Sequence, residues 1–166
     1  MGYDSDMKEQ IVVLENIRSA HNVGSIFRTA DGAGVSQLYL VGYTPAPTDR
    51  FGREVPEIKK TSLGATHTVP WSVESSGVDV VRALQAQGVW VVVVEQTDNA
   101  VDFYDYRAPS EKPVAYIFGN EIDGVTPVVV AAANQVVEVP MYGVKESLNV
   151  AVTVGIVLYG SKQSYE

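Results

Sequence analysis

An α/β domain with a mostly parallel sheet flanked by helices is the fold class this sequence predicts, on three observations. Short continuous apolar runs recur along the chain, as strands covered on both faces require. Segments with helical spacing separate them, which is the pattern of strand, crossover and parallel strand. No internal repeat, low-complexity tract or linker divides the 166 residues, so residues 1–166 are expected to form a single domain.

Taken in order, Ile11 to Leu14 is the first such run, followed by a polar connection, Glu15 to His21. A helix is expected from Asn22, acting as cap, through Val23, Ile26, Phe27 and Ala30 on one apolar face, to Gly34 at a left-handed C-terminal cap. Leu38 to Val41 supplies a second strand. Residues 43–56 hold Pro45, Pro47 and Pro56 among scattered charge, a length typical of functional loops. One or two helical turns are expected over Ile58 to Leu63, and a brief strand over Thr66 to Val69. Val78, Val81, Ala83 and Leu84 mark an amphipathic helix to Gln87, closed by Gly88. Val89 to Val94 is the strongest strand. Residues 97–110 are acidic, aromatic and irregular; Val114 to Phe118 is another buried strand, ending at Gly119. Thr126-Pro127 is a cap with proline at the first helical position, leading into Val128 to Ala133. Val136 to Val139 is the last strand.

The stretch from Pro140 to Ile156 then passes from a charged loop into a run that is apolar except for Asn149 and Thr153. Its length exceeds that of a strand, so a buried helix is expected, with Ser147 as N-cap. A helix apolar on all sides must pack within the domain or against another subunit.

Composition narrows the chemistry. The chain has no cysteine, which excludes disulfides and thiolate chemistry, and its two histidines, His21 and His67, argue against a zinc site; no metal is expected. Residues 1–7 are polar and acidic, unlike a signal peptide, and no apolar run approaches membrane-spanning length. A cytoplasmic protein is the expectation. The net charge of −8 argues against a general nucleic-acid surface. It is unevenly spread: residues 1–60 hold seven Lys/Arg and eight Asp/Glu, residues 61–166 five and twelve. Arg50, Arg53, Lys59 and Lys60 form a local basic patch interleaved with Asp49, Glu54 and Glu57, which reads equally as a solvated face.

In parallel sheets ligands bind at the carboxyl ends of the strands. Three polar clusters fall there: Asn16 to Arg28, Gly119 to Gly124, and the loop opening at Pro140. No Gly-x-Gly-x-x-Gly or phosphate-loop pattern is present, so standard dinucleotide and NTP sites are unsupported. Singly, each residue has a plain structural reading. Arg28 suits a surface ion pair, Glu121 and Asp123 suit a turn, and Asn22 and Ser147 suit helix caps.

Three motifs together go further. Asn22-Val23-Gly24-Ser25-Ile26-Phe27-Arg28-Thr29-Ala30 resembles the first motif of the SpoU/TrmH family of RNA ribose 2′-O-methyltransferases, in the SPOUT superfamily. Phe118-Gly119-Asn120-Glu121-Ile122-Asp123-Gly124-Val125 resembles the second. Pro140-Met141 with Ser147-Leu148-Asn149-Val150-Ala151-Val152 resembles the third. They stand in family order and spacing over residues 10–160. Ser25 and Ala151 replace residues commonly alanine and serine, each a change of one hydroxyl.

The resemblance implies a C-terminal deep trefoil knot, the SPOUT α/β knot, which periodicity could not have indicated because true knots are nearly absent from proteins. It also implies a homodimer and S-adenosylmethionine as cofactor. By motif match the cofactor contacts are Gly119, Met141, Ser147 and Leu148, with Glu95 and Thr97 after the fourth strand as further candidates. Methyl transfer to a ribose 2′-hydroxyl of tRNA or rRNA is the implied reaction, with Arg28 as key catalytic residue. Asn22, Glu121, Ser147 and Asn149 organise the site, Glu121 by pairing with the arginine. A guanidinium keeps its proton at ordinary pH, so Arg28 is better suited to hold a phosphate and stabilise a forming alkoxide. Family members that bind tRNA often carry terminal extensions. Only about ten residues here precede the first strand, so RNA capture is expected to fall to the knot domain, the Arg50 to Lys60 loop or an accessory protein. The competing reading is a catalytically inactive knotted dimer that binds RNA or a protein partner.

Overall fold

A computed structural model describes residues 7–162; the acidic segment 1–6 lies outside the described residues. Seven strands and five helices follow one another as β1 (Gln10–Glu15), α1 (Ala20–Ala33), β2 (Gln37–Val41), α2 (Pro56–Ser62), β3 (Trp71–Glu74), α3 (Gly77–Ala86), β4 (Trp90–Val94), β5 (Val101–Asp102), β6 (Val114–Phe118), α4 (Pro127–Ala132), β7 (Gln135–Glu138) and α5 (Val150–Gly160). All pair in parallel in one sheet ordered β3-β2-β1-β6-β4-β7-β5.

Strand side chains alternate between two apolar layers, because successive residues of a pleat point to opposite faces. Val12, Leu14, Val92, Tyr116 and Phe118 pack with Ile26 and Phe27 of α1, Ile58 of α2 and Val154 and Leu158 of α5. Ile11, Val13, Val91, Val93, Ala115 and Ile117 pack with Val81 and Leu84 of α3 and Val129 of α4. Helices therefore cover both faces, which is why the strands read as unbroken apolar runs. Among the described residues no helix is long and apolar enough to cross a membrane.

Three local expectations are corrected. Thr66 to Val69 is not a strand: residues Ala65–His67 form a 3-10 turn, entered through Leu63 and Gly64 at φ 50° and 88°. Pairing with β2 begins only at Trp71, after the Pro70 carbonyl has accepted Leu38 N–H. The irregular segment 97–110 contributes β5, two residues at the sheet edge beside β7. The first helix starts earlier than Asn22, because Ser19 is extended and its hydroxyl accepts from Asn22 N–H at 3.1 Å.

Candidate active site

Past β6 the chain must reverse at once. A Cβ on Gly119 would run into the backbone of Gly124 and Val125, so only glycine permits the fold-back. Asn120, 6% exposed, then acts as an internal strut. Its Oδ1 accepts from Ile122 and Asp123 N–H, each at 2.8 Å. Its Nδ2 donates to the Asn16 carbonyl at 3.0 Å and to Tyr43 Oη at 2.6 Å. Two carboxylates brace the far end. Glu95 Oε2 accepts from Val125 N–H at 2.9 Å, while Glu15 accepts from Thr126 N–H at 2.7 Å and its hydroxyl at 3.0 Å. Glu15 is buried among apolar neighbours, and these bonds satisfy the charge that burial would otherwise penalise.

The segment after β7 is built differently. Residues 140–148 make no hydrogen bond among the described residues, and Tyr142 and Val144 are 87% and 99% exposed. Order resumes at Asn149, which replaces Ser147 as the N-cap of α5 because its Oδ1 reaches Ala151 N–H at 2.9 Å. Asn149 Nδ2 also donates to Asn22 Oδ1 at 3.3 Å. The two asparagines that read singly as caps thus bond to each other, joining α1 to the start of α5.

Between these walls lies a cleft over the carboxyl ends of β6, β4 and β7. Gly119, Glu121, Met141, Ser147, Leu148 and Glu95 line it. Thr97 does not; its carbonyl closes a turn by accepting Ala100 N–H, and Gln96 takes the place at the cleft. Glu95 lines the cleft, but both its oxygens are engaged, Oε2 by Val125 and Oε1 by Gln96 N–H at 3.0 Å. Sequence reasoning assigned no role to Asn120, Glu138 or Thr153, which also line it. Thr153 hydrogen-bonds the Asn149 carbonyl at 3.3 Å, one turn along α5, and Asn149 stands between Leu148 and Val150 of the lining. A charged residue inside the apolar strand Val136 to Val139 was the available signal for Glu138.

Arg28 stands exposed on α1 and forms no ion pair with Glu121 among the described residues. Glu121 instead accepts from Arg18 N–H at 3.5 Å, so the expected charge pair is not made.

The model of the SpoU rRNA methylase family matches residues 9–159. The chain belongs to that family. A curated relative from Neisseria meningitidis serogroup B, a 23S rRNA (guanosine-2′-O-)-methyltransferase, is 30% identical over 89% of this chain and 56% of its own length. The tRNA (guanosine(18)-2′-O)-methyltransferase of Escherichia coli K12 is 30% identical over 92% of this chain and 62% of its own. This SpoU-family chain therefore spans little more than half the length of these relatives. Its fold matches an AdoMet-bound rRNA methyltransferase from Sinorhizobium meliloti with a TM-score of 0.83 at 31% identity, covering 93% of this chain and 56% of that one.

Proposed function

We propose that this chain transfers a methyl group from S-adenosylmethionine to a ribose 2′-hydroxyl of tRNA or rRNA. The observation that carries the reading is the cleft itself, where Gly119 meets Met141, Ser147 and Leu148, more than 20 residues on, beside the Asn22–Asn149 link. The activities of the relatives, one on 23S rRNA and one on tRNA, support the reaction class. The lining suits the cofactor: Phe118, Val139, Met141, Leu148 and Val150 offer an apolar bed, and Glu121 and Glu138 place negative charge beside it. A purine with a cationic sulfonium fits that mixture.

S-adenosylmethionine supplies, when bound, a methyl group activated by positively charged sulfur. The residues contribute alignment, the main requirement of such a transfer. Gly119 and its braced turn form a fixed wall, and Met141, Ser147 and Leu148 form the opposite one. Arg28 keeps its proton, so it acts as a donor, holding an RNA phosphate and stabilising the developing 2′-alkoxide. A phosphate oxygen of the RNA takes the hydroxyl proton in this reading. Glu121, Ser147, Asn22 and Asn149 organise substrate and cofactor around that event.

The family resemblance supports reading β7, the 139–149 segment and α5 as a trefoil knot in a single methyltransferase domain. It equally supports a homodimer, for which α5 offers an outward face that includes Val152 and Tyr159, each 51% exposed. A cytoplasmic location follows from RNA as substrate, and an accessory protein that delivers RNA is compatible with the acidic charge. Sedimentation at micromolar concentration tests the dimer.

Total RNA from a strain lacking the gene, incubated with methyl-labelled cofactor, should acquire label at one 2′-O position. Arg28→Ala should cut transfer at least about 100-fold while calorimetry still finds cofactor binding. Full activity in that variant removes Arg28 from the mechanism. Cofactor binding without transfer to any RNA returns the inactive binding dimer.

A further inference from the structure

We infer that the apex of the loop between β2 and α2, Asp49 to Arg53, is a docking surface for single-stranded RNA flanking the target nucleotide. The inference rests on the RNA reading above and adds where and how the strand is held.

The apex is a fixed scaffold. Thr48 and Glu54 form an antiparallel bridge, Asp49 N–H donates to the Arg53 carbonyl at 2.8 Å, and Gly52 turns the chain at φ 77°. Asp49 Oδ1 accepts from Phe51 and Arg53 N–H at 2.8 and 3.0 Å, and Oδ2 from Arg53 Nε at 2.9 Å. These bonds, the one from Arg53 N–H foremost, hold the Asp49 carboxyl below its ordinary range.

What the scaffold presents is an aromatic ring facing water. Phe51 is 66% exposed, with the guanidinium carbons of Arg50 and Arg53 at 4.7 and 4.9 Å from the ring centroid. A ring and guanidinium planes held together are the chemistry that stacks unpaired bases and grips phosphates. Arg50 meets no carboxylate among the described residues.

Charge placement points the same way. Among the described residues, Arg18, Arg28, Arg50, Lys60 and Lys145 have no acidic partner. All five stand on the loops at the carboxyl ends of the strands or on the layer of α1 and α2; Arg82 on α3, Lys8 and Lys112 just before β1 and β6, and Lys162 after α5 also make no salt bridge among the described residues and stand elsewhere. In a chain of net charge −8, five cations without an acidic partner among the described residues thus stand on the side that bears the apex. The loop is also tied to the cleft, since Tyr43, at its root and 58% exposed, receives the Asn120 bond. Eight residues separate Tyr43 from Phe51, a contour of at most about 29 Å, within reach of a few nucleotides.

The test uses the full chain, a fluorescein-labelled unstructured 20-nucleotide RNA of mixed sequence, and unmodified total tRNA and rRNA as methylation substrates. Phe51→Ala should weaken oligomer binding about 5- to 100-fold. Arg50→Ala should lower the slope of log affinity against log salt by about 0.7 and raise KM for RNA with KM for cofactor unchanged. Arg50→Lys should restore the slope but not the full affinity. Wild-type affinity, slope and RNA KM in both alanine variants, alongside an active wild type, overturn the proposal. Unchanged RNA binding with altered sedimentation assigns the apex to a protein contact and also overturns it. A wild type that neither binds nor methylates RNA removes the RNA reading, and this inference with it.

Discussion

Residues 119–126 and residues 140–148 line the same cleft, yet the first rest on side chains sent from three other segments, Tyr43, Glu95 and Glu15, and the second on none. Asn120, Glu95 and Glu15 determine the first loop so fully that its backbone has one place to be. The second is exposed, with Val144 facing water almost completely. The difference teaches that the protein holds one wall with its own hydrogen bonds, while the other has no such bonds of its own among the described residues. Ordering costs about 1–2 kcal/mol per residue fixed, so a ligand that has to fix residues 140–148 would give up affinity there that residues 119–126 do not cost it.

The largest effect should come from removing the strut. Asn120→Ala deletes four partly buried hydrogen bonds, which should cost about 3 kcal/mol in urea unfolding. A loss under about 1 kcal/mol would show that the first wall does not depend on it. Glu15→Ala should cost about 2 kcal/mol, and Glu15→Gln less, since one oxygen can still accept from Thr126 N–H. Tyr142→Ala and Val144→Ala, by contrast, should each change the stability of the ligand-free protein by less than about 0.5 kcal/mol. A clamp-sized loss from either would break the comparison. Hydrogen exchange sharpens it further: the amides of Val125 and Thr126 should be protected without cofactor, and those of residues 142–147 only after it is added.

The smallest effect concerns a loop that is exposed yet fixed. Because Asp49 has its carboxyl lowered by the turn, its contribution is present above the unfolded carboxyl range and lost as pH falls through the folded value. Acidification should therefore broaden the NMR signals of Phe51 and Arg53 while the core signals stay sharp. Apex signals that stay sharp through the same titration would mean that other contacts hold the turn.

How much of this was legible in the sequence follows from which interactions are local. The strand runs and most helices were readable because burial on both faces leaves a composition that needs no partner to interpret. Helix starts differ from Asn22 and Ser147 because several nearby residues could cap, and the local bonds to Asn22 and Ala151 N–H are made by Ser19 and Asn149. Thr66 to Val69 has strand composition, but Leu63 and Gly64 turn the chain first. The insertion of β7 between β4 and β5 was not legible, because nothing in a strand's own residues names its neighbours. At the site, Gly119, Met141, Ser147 and Leu148 were reached by resemblance. Asn120 was quoted in the motif without a role, since its worth lies in Asn16 and Tyr43, more than 70 residues away.

The bond between Asn22 and Asn149 has a consequence in time. A ribosome releases the first of these residues early and the second near the end of the described chain, and α5, which the second caps, comes later still. While synthesis is under way, α1 waits without the helix that covers it, and one bank of the cleft does not yet exist. A nascent chain of this protein therefore lacks a complete cleft until α5 has been made. The two banks of the cleft are joined only when α5 docks against α1.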